Sequence, residues 1–143
     1  MPYEFLEDMA IADIAFRAWG MDLVETFGAA ADAVMNVMLE DLDTIQHRAE
    51  RQLTAEHEAL DMLLFDFLQA LIYYKDAEQL MLRVSQVQIA EQNGRYCLTG
   101  VAWGERLDPS RHCPRVDVKA VTLHHFSLQQ SERGWAATVI LDI

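Results

Sequence analysis

Basic residues are scarce in this chain. Eleven lysines and arginines stand against 23 aspartates and glutamates, for a net charge of −12. The deficit is uneven: residues 1–66 hold 15 acids and 3 bases, whereas residues 67–143 hold eight of each. Such a surface repels a phosphate backbone unless a cation or a basic partner intervenes. Direct, stable nucleic-acid binding is therefore not expected, and a bound metal or a protein partner fits better. Cysteine is also sparse. Cys97 and Cys113 lack metal-type spacing, so neither a disulfide framework nor a zinc site is indicated, and they read as small core or loop residues. No apolar run approaches the ~20 residues of a membrane span. The opening MPYEFLEDMA lacks the basic and apolar regions of a signal peptide. A soluble, cytoplasmic protein is the expectation. Glycine-rich phosphate loops, G-x-S-x-G and H-E-x-x-H are all missing, so no enzyme of those classes is indicated.

What is present suffices for a core. The 143 residues are 52% hydrophobic, enough for one domain over residues 1–143 without staples. YEFLED is a short strand candidate. In ADIAFRAWG, Ile14, Phe16 and Ala18 alternate with Ala15, Arg17 and Trp19, a strand stopped by Gly20. Asp22 and Glu25 have capping-box spacing, and Leu23, Phe27, Ala30, Ala31, Val34 and Met38 recur at helical intervals to about Leu39. The polar stretch around Ile45–Leu53 alternates like an exposed edge strand. Thr54 offers an N-cap for a second helix over about 56–74. Then come strand signals: QLMLRVSQVQIAE, the hairpin dipeptide Asn93-Gly94, RYCLTGVAWG, a loop broken by Pro109 and Pro114, one long strand VDVKAVTLHHFSLQQ, and WAATVILDI. The order β β α β α β β β β predicts an α+β fold, two helices packed on a mainly antiparallel sheet.

Several residues invite chemistry. The apolar strand VILDI finishes on Asp142 and the Ile143 carboxylate. Either it ends in water, where charge costs little, or something positive binds there. Lys119 sits among β-formers in VDVKAVT, where alternation puts it with Asp117 and Val121 and opposite Val118. His124 and His125 are adjacent, so a regular strand turns them to opposite faces, one half-buried and one exposed. His112 neighbours Cys113, but no third group orients the pair for catalysis. Trp19 and Trp103 each precede a glycine. Core packing is the commoner role for them, a partner surface the alternative.

In this order the motifs resemble the archease family. The family pattern runs Y-x-[YF]-L-[ED]-H-T-A-D-[IV], then G-E-x-[FL]-x-x-x-[KR]-H, then [ED]-V-K-A-[IV]-T, and finally [IV]-x-[IL]-D-[IV] at the carboxyl end. The matching stretches here are YEFLED…ADIAFRAWG, GVAWGERLDPSRH, VDVKAVT and VILDI, with ALDMLLFDFLQALIYYKD between the first two. One departure is plain: the family His-Thr-Ala-Asp stands as Ala10-Ile11-Ala12-Asp13.

The resemblance implies a function. Archeases are accessory proteins of the RtcB-type RNA ligase of tRNA splicing and RNA repair, promoting its guanylylation and multiple turnover without being enzymes themselves. It also implies a site. Asp13 and Asp142, with the Ile143 carboxylate, would hold a divalent metal, calcium first, with magnesium or manganese as alternatives. Lys119 would be the residue needed to activate the ligase. Hard cations take oxygen ligands, and converging carboxylates repel one another without one. Two other classes stay open from the residues: a metal-dependent hydrolase of a small phosphorylated or nucleotide substrate, and a generic chaperone or adaptor.

Overall fold

The computed structural model describes residues 2–6 and 13–143. Glu7 and Asp8, the acids nearest Asp13 in sequence that a carboxylate site could recruit, and the Ala10-Ile11 replacement lie outside the described residues. Among the described residues seven strands form in chain order: β1 (Tyr3–Leu6), β2 (Ile14–Gly20), β3 (Ala49–His57), β4 (Leu80–Gln92), β5 (Arg95–Arg106), β6 (Ala120–Ser131) and β7 (Gly134–Asp142). Between them run α1 (Leu23–Met38), α2 (Leu60–Glu78), a short helix α3 (Pro109–His112) and a 3₁₀ turn at Leu42–Thr44. All strand pairs are antiparallel. The fold is α+β, as the element order predicts.

The strands divide into two sheets, ordered β1-β2-β7-β6 and β3-β5-β4. Each long helix touches both: α1 lies against β2 and β4, α2 against β3 and β6. Burial of α1 runs nearly all round, from Phe27 through Ala29, Ala30, Ala31 and Ala33 to Met38. Its alanines let the helix lie close between sheet faces, while Phe27 packs on Phe67 of α2 with ring centroids 5.6 Å apart.

The capping box at α1 forms in a shifted version. Asp22 Oδ1 accepts the Glu25 N–H (2.8 Å), and Glu25 Oε2 accepts the Met21 N–H (2.8 Å), one residue before the cap. Asp22→Ala should lower unfolding stability by about 1 kcal/mol, the usual worth of an N-cap, read by urea denaturation. At the β4–β5 hairpin, Asn93 (φ 54°) and Gly94 (φ 78°) supply the two positive φ angles of a type I′ turn.

Three expectations need correction. Thr54 is no N-cap: alternation continues through it, and β3 pairs with β5 as far as His57 opposite Tyr96. Helix α2 starts only at Leu60 and runs to Glu78, after Ala59, which has no capping side chain. The long strand begins at Ala120, so Lys119 precedes it. Val118 and Val121 are both buried, a three-residue spacing that regular alternation forbids. The histidines are not split between faces. Thr122 pairs with Ile140 and Ser127 with Thr138, leaving residues 123–126 opposite Val139 alone. In that bulge His125 takes a positive φ of 53°, both histidines are exposed, and their rings lie 4.1 Å apart.

Candidate functional site

Strand register brings the sequence candidates to one end of the four-stranded sheet. Ile14, the first residue of β2, pairs with Leu141, which leaves Asp13 and Asp142 just beyond that pair at the same sheet end. On the other side of β7, Ala120 pairs with Asp142, and the Lys119 N–H donates to the Asp142 carbonyl (2.8 Å). The two aspartates thus flank the last β2–β7 pair at one end of the sheet. Both are half-buried, as is Ile143, and Lys119 is exposed. Like charges gathered at a sheet end repel one another unless something positive sits between them. Among the described residues neither carboxylate has a hydrogen-bonding or ion-pair partner within the protein. On the face of Asp142, Thr122 Oγ1 is buried without a hydrogen-bond partner. Oxygen donors of this kind suit a hard cation such as calcium or magnesium. Among the described residues, however, no group of three or more His, Cys, Asp or Glu converges to hold a metal.

Helix α2 fixes the approach to Lys119. The nearly buried Lys75 amine donates to Asp117 Oδ1 (2.6 Å) and to the Val118 carbonyl (2.7 Å), and it also meets Asp76. Burial pulls its pKa down, but the hydrogen bonds to Asp117 and Asp76 outweigh that and raise it, keeping the amine charged. Gln69 Oε1 accepts the Val121 N–H (2.8 Å). Farther back, Arg115 N–H donates to the Met38 carbonyl (2.8 Å). The segment from Cys113 to Lys119 is thus irregular in backbone yet tied at successive points.

A buried polar cluster stands upstream of that segment. The Glu105 carboxylate, 4% exposed, receives Arg111 Nη2 (2.5 Å), the Gln46 N–H (2.7 Å) and His112 Nε2 (3.0 Å), with Arg48 Nε at 3.3 Å. His112 is fully buried, and its Nδ1 accepts the Asp108 N–H (2.8 Å). A ring nitrogen that accepts there leaves the proton on Nε2, which donates to Glu105. Burial alone would raise the Glu105 pKa; the bonds from Arg111, His112 and Gln46 prevail and hold it down to about 2. Arg111 Nη1 also donates to the Thr44 carbonyl (2.7 Å). The cluster locks the 3₁₀ turn, the end of β5 and α3 together. Sequence reasoning weighed His112 only as a catalytic candidate; the signal missed was the acid of GERLDPSRH lying ahead of its Arg-His pair.

Comparison with known proteins decides the family. The model of the archease protein family (MTH1598/TM1083) matches residues 3–143. The chain belongs to the archease family. Pyrococcus furiosus protein archease is 37% identical over 133 residues, covering 92% of this chain and 93% of that one. Protein archease of Methanosarcina mazei is 34% identical over 142 residues, 99% of this chain and 95% of its own. The solution structure of Methanobacterium thermoautotrophicum protein 1598 superposes with a TM-score of 0.86 at 34% identity, over 99% of each chain. The archease motifs thus have structural meaning here. The Gly-Glu…Arg-His motif is the buried cluster, and the lysine and carboxyl-end aspartate motifs meet at the β6–β7 sheet end. Among the described residues no helix is long and apolar enough to cross a membrane.

Proposed function

We propose that this archease activates an RtcB-type RNA ligase in the cytoplasm, promoting its guanylylation and its repeated turnover in tRNA splicing or RNA repair. The chain is the activator and the ligase the catalyst. The observation that supports this reading is that the β2–β7 and β6–β7 pairings leave Asp13, Asp142 and Lys119 at one end of the same sheet, with the Lys119 N–H bound to the Asp142 carbonyl. Asp13 and Asp142, with the Ile143 carboxylate, would hold a divalent cation, calcium in the first instance. Bound there, the ion would neutralise the carboxylates and present a positive centre beside the lysine. The exposed Lys119 would meet a phosphate or a carboxylate of the ligase as a point charge. The acidic front half suits a basic protein surface.

The test is RNA joining with the ligase of the same organism limiting. The native chain should raise the number of joins per ligase well above one, and Asp13→Ala should return it to about one, the loss of an essential charged contact. No stimulation by the native chain would reject the reading.

A further inference from the structure

The bulge in β6 has an unusual backbone. Residues 123–126 stand opposite Val139 alone. Four non-glycine residues among those described have a positive φ: Gln79, Asn93, Cys113 and His125. Gln79 and Cys113 cap helices, and Asn93 lies in the turn of the β4–β5 hairpin. His125 alone of the four lies inside a strand. A side chain in the left-handed region is strained, and strain of this kind collects at ligand sites. Phe126 anchors the bulge to α2, its ring edge-on to Phe65 with centroids 5.7 Å apart.

The strain has a visible result. Regular alternation would send adjacent histidines to opposite faces, where they could not share a ligand. The left-handed residue turns His125 round instead, and the His124 and His125 ring centres lie 4.1 Å apart. Both side chains are exposed. Among the described residues neither ring has a hydrogen-bonding partner, so their nitrogens are free to bind. When two imidazoles share an ion, each nitrogen about 2 Å from it, the ring centres stand roughly 4.5–5 Å apart. Small side-chain rotations therefore bring one nitrogen of each ring onto a common ion. Strand β6 ends the order of its sheet, which leaves its outer edge open to approach.

We infer that His124 and His125 form a two-imidazole site for a transition-metal ion of the zinc, nickel or copper class. Imidazole nitrogen selects those ions over calcium and magnesium, which take oxygen ligands. The net charge of −12 draws cations to the chain. Two protein ligands leave the remaining positions to water or to a side chain of a bound partner. The site is distinct from the carboxylates at the sheet end. From Ala120, the partner of Asp142, to His124 the strand spans up to about 13 Å. The inference stands apart from the ligase reading and shares none of its residues.

The test uses the full chain and zinc chloride, with histidine ring signals followed by NMR. Zinc should shift the His124 and His125 signals saturably, and an excess of magnesium or calcium should not. It should also raise the thermal midpoint, because an ion bound only by the folded chain stabilises it. His125→Gly removes one ligand and suits the positive φ, so without metal it should be at least as stable as the native chain. Its zinc affinity should fall at least about tenfold, as should that of His124→Ala, because one imidazole lacks the effective concentration of the pair. Asp13→Ala should bind zinc as the native chain does, which separates this site from the carboxylate end. The exposed His47, paired with Glu50 at 2.9 Å, is the competing place for a zinc ion. The inference falls if zinc moves neither His124 nor His125 at millimolar concentration, or moves His47, His57 or Cys113 at lower concentration than these two. It falls equally if Asp13→Ala weakens zinc binding, or if the two histidine variants bind zinc as the native chain does.

Discussion

Glu105→Gln lowers the thermal midpoint of the chain by about 10 °C, the counterpart of some 3 kcal/mol in a domain of this size. The carboxylate is nearly inaccessible, receives three hydrogen bonds, one from the Arg111 guanidinium, and has the Arg48 guanidinium as a further ion-pair neighbour. An amide keeps the shape and loses the charge. One of its two terminal atoms becomes a donor facing donors, and Arg111 is left beside a neutral group in a desolvated place. Removing one partner of such a cluster costs more than the cluster contributes as a whole, so the single change is the severe one.

The pH dependence has a definite sign. The folded-state pKa of Glu105 is depressed, to about 2 from an ordinary 4.5. Its contribution is therefore complete above the unfolded value and is lost as pH falls from about 4.5 through about 2. Urea unfolding of the native chain should show that acid limb. Glu105→Gln should flatten it, with the two curves converging near pH 2. A variant as stable as the native chain at pH 7 would show that the cluster is not a lock.

Lys119→Ala should do the reverse, leaving stability alone and removing function. The side chain is exposed and makes no hydrogen bond or ion pair within the described residues. Its backbone N–H, which holds the Asp142 carbonyl, survives the substitution. Stability should stay within about 0.5 kcal/mol of native, the ordinary range for a surface change. Stimulation of the ligase should fall at least about tenfold, as for loss of a charged contact at an interface. Lys75→Met gives the contrasting case. It breaks the anchor at Asp117 and Val118 and should cost both stability and stimulation.

The elements that could be read from sequence are those governed by local rules. Asp22 with Glu25, Asn93 with Gly94, and the alternation of Ile14 to Ala18 each carry their own signal, and each formed where expected. Failures came where distant groups decide. Thr54 looks like a cap until Thr99 is placed opposite it across the ladder. VDVKAV alternates like a strand, but Lys75 and Gln69 of α2 take its polar groups and delay the ladder to Ala120. The bulge at His124 and His125 has no glycine to announce it. The strands divide into two sheets and α1 is buried on nearly all sides, whereas its helical spacing signals a single apolar face. At the site, the family motifs pointed to Asp13, Asp142 and Lys119, and register brings them to one sheet end.

The most direct test of the activator reading follows the covalent ligase–GMP adduct over time, with GTP and divalent metal supplied and the ligase limiting. The reading predicts faster and fuller adduct formation with the native chain, and a time course with Lys119→Ala that matches ligase alone. Equal adduct formation with and without the native chain would contradict it.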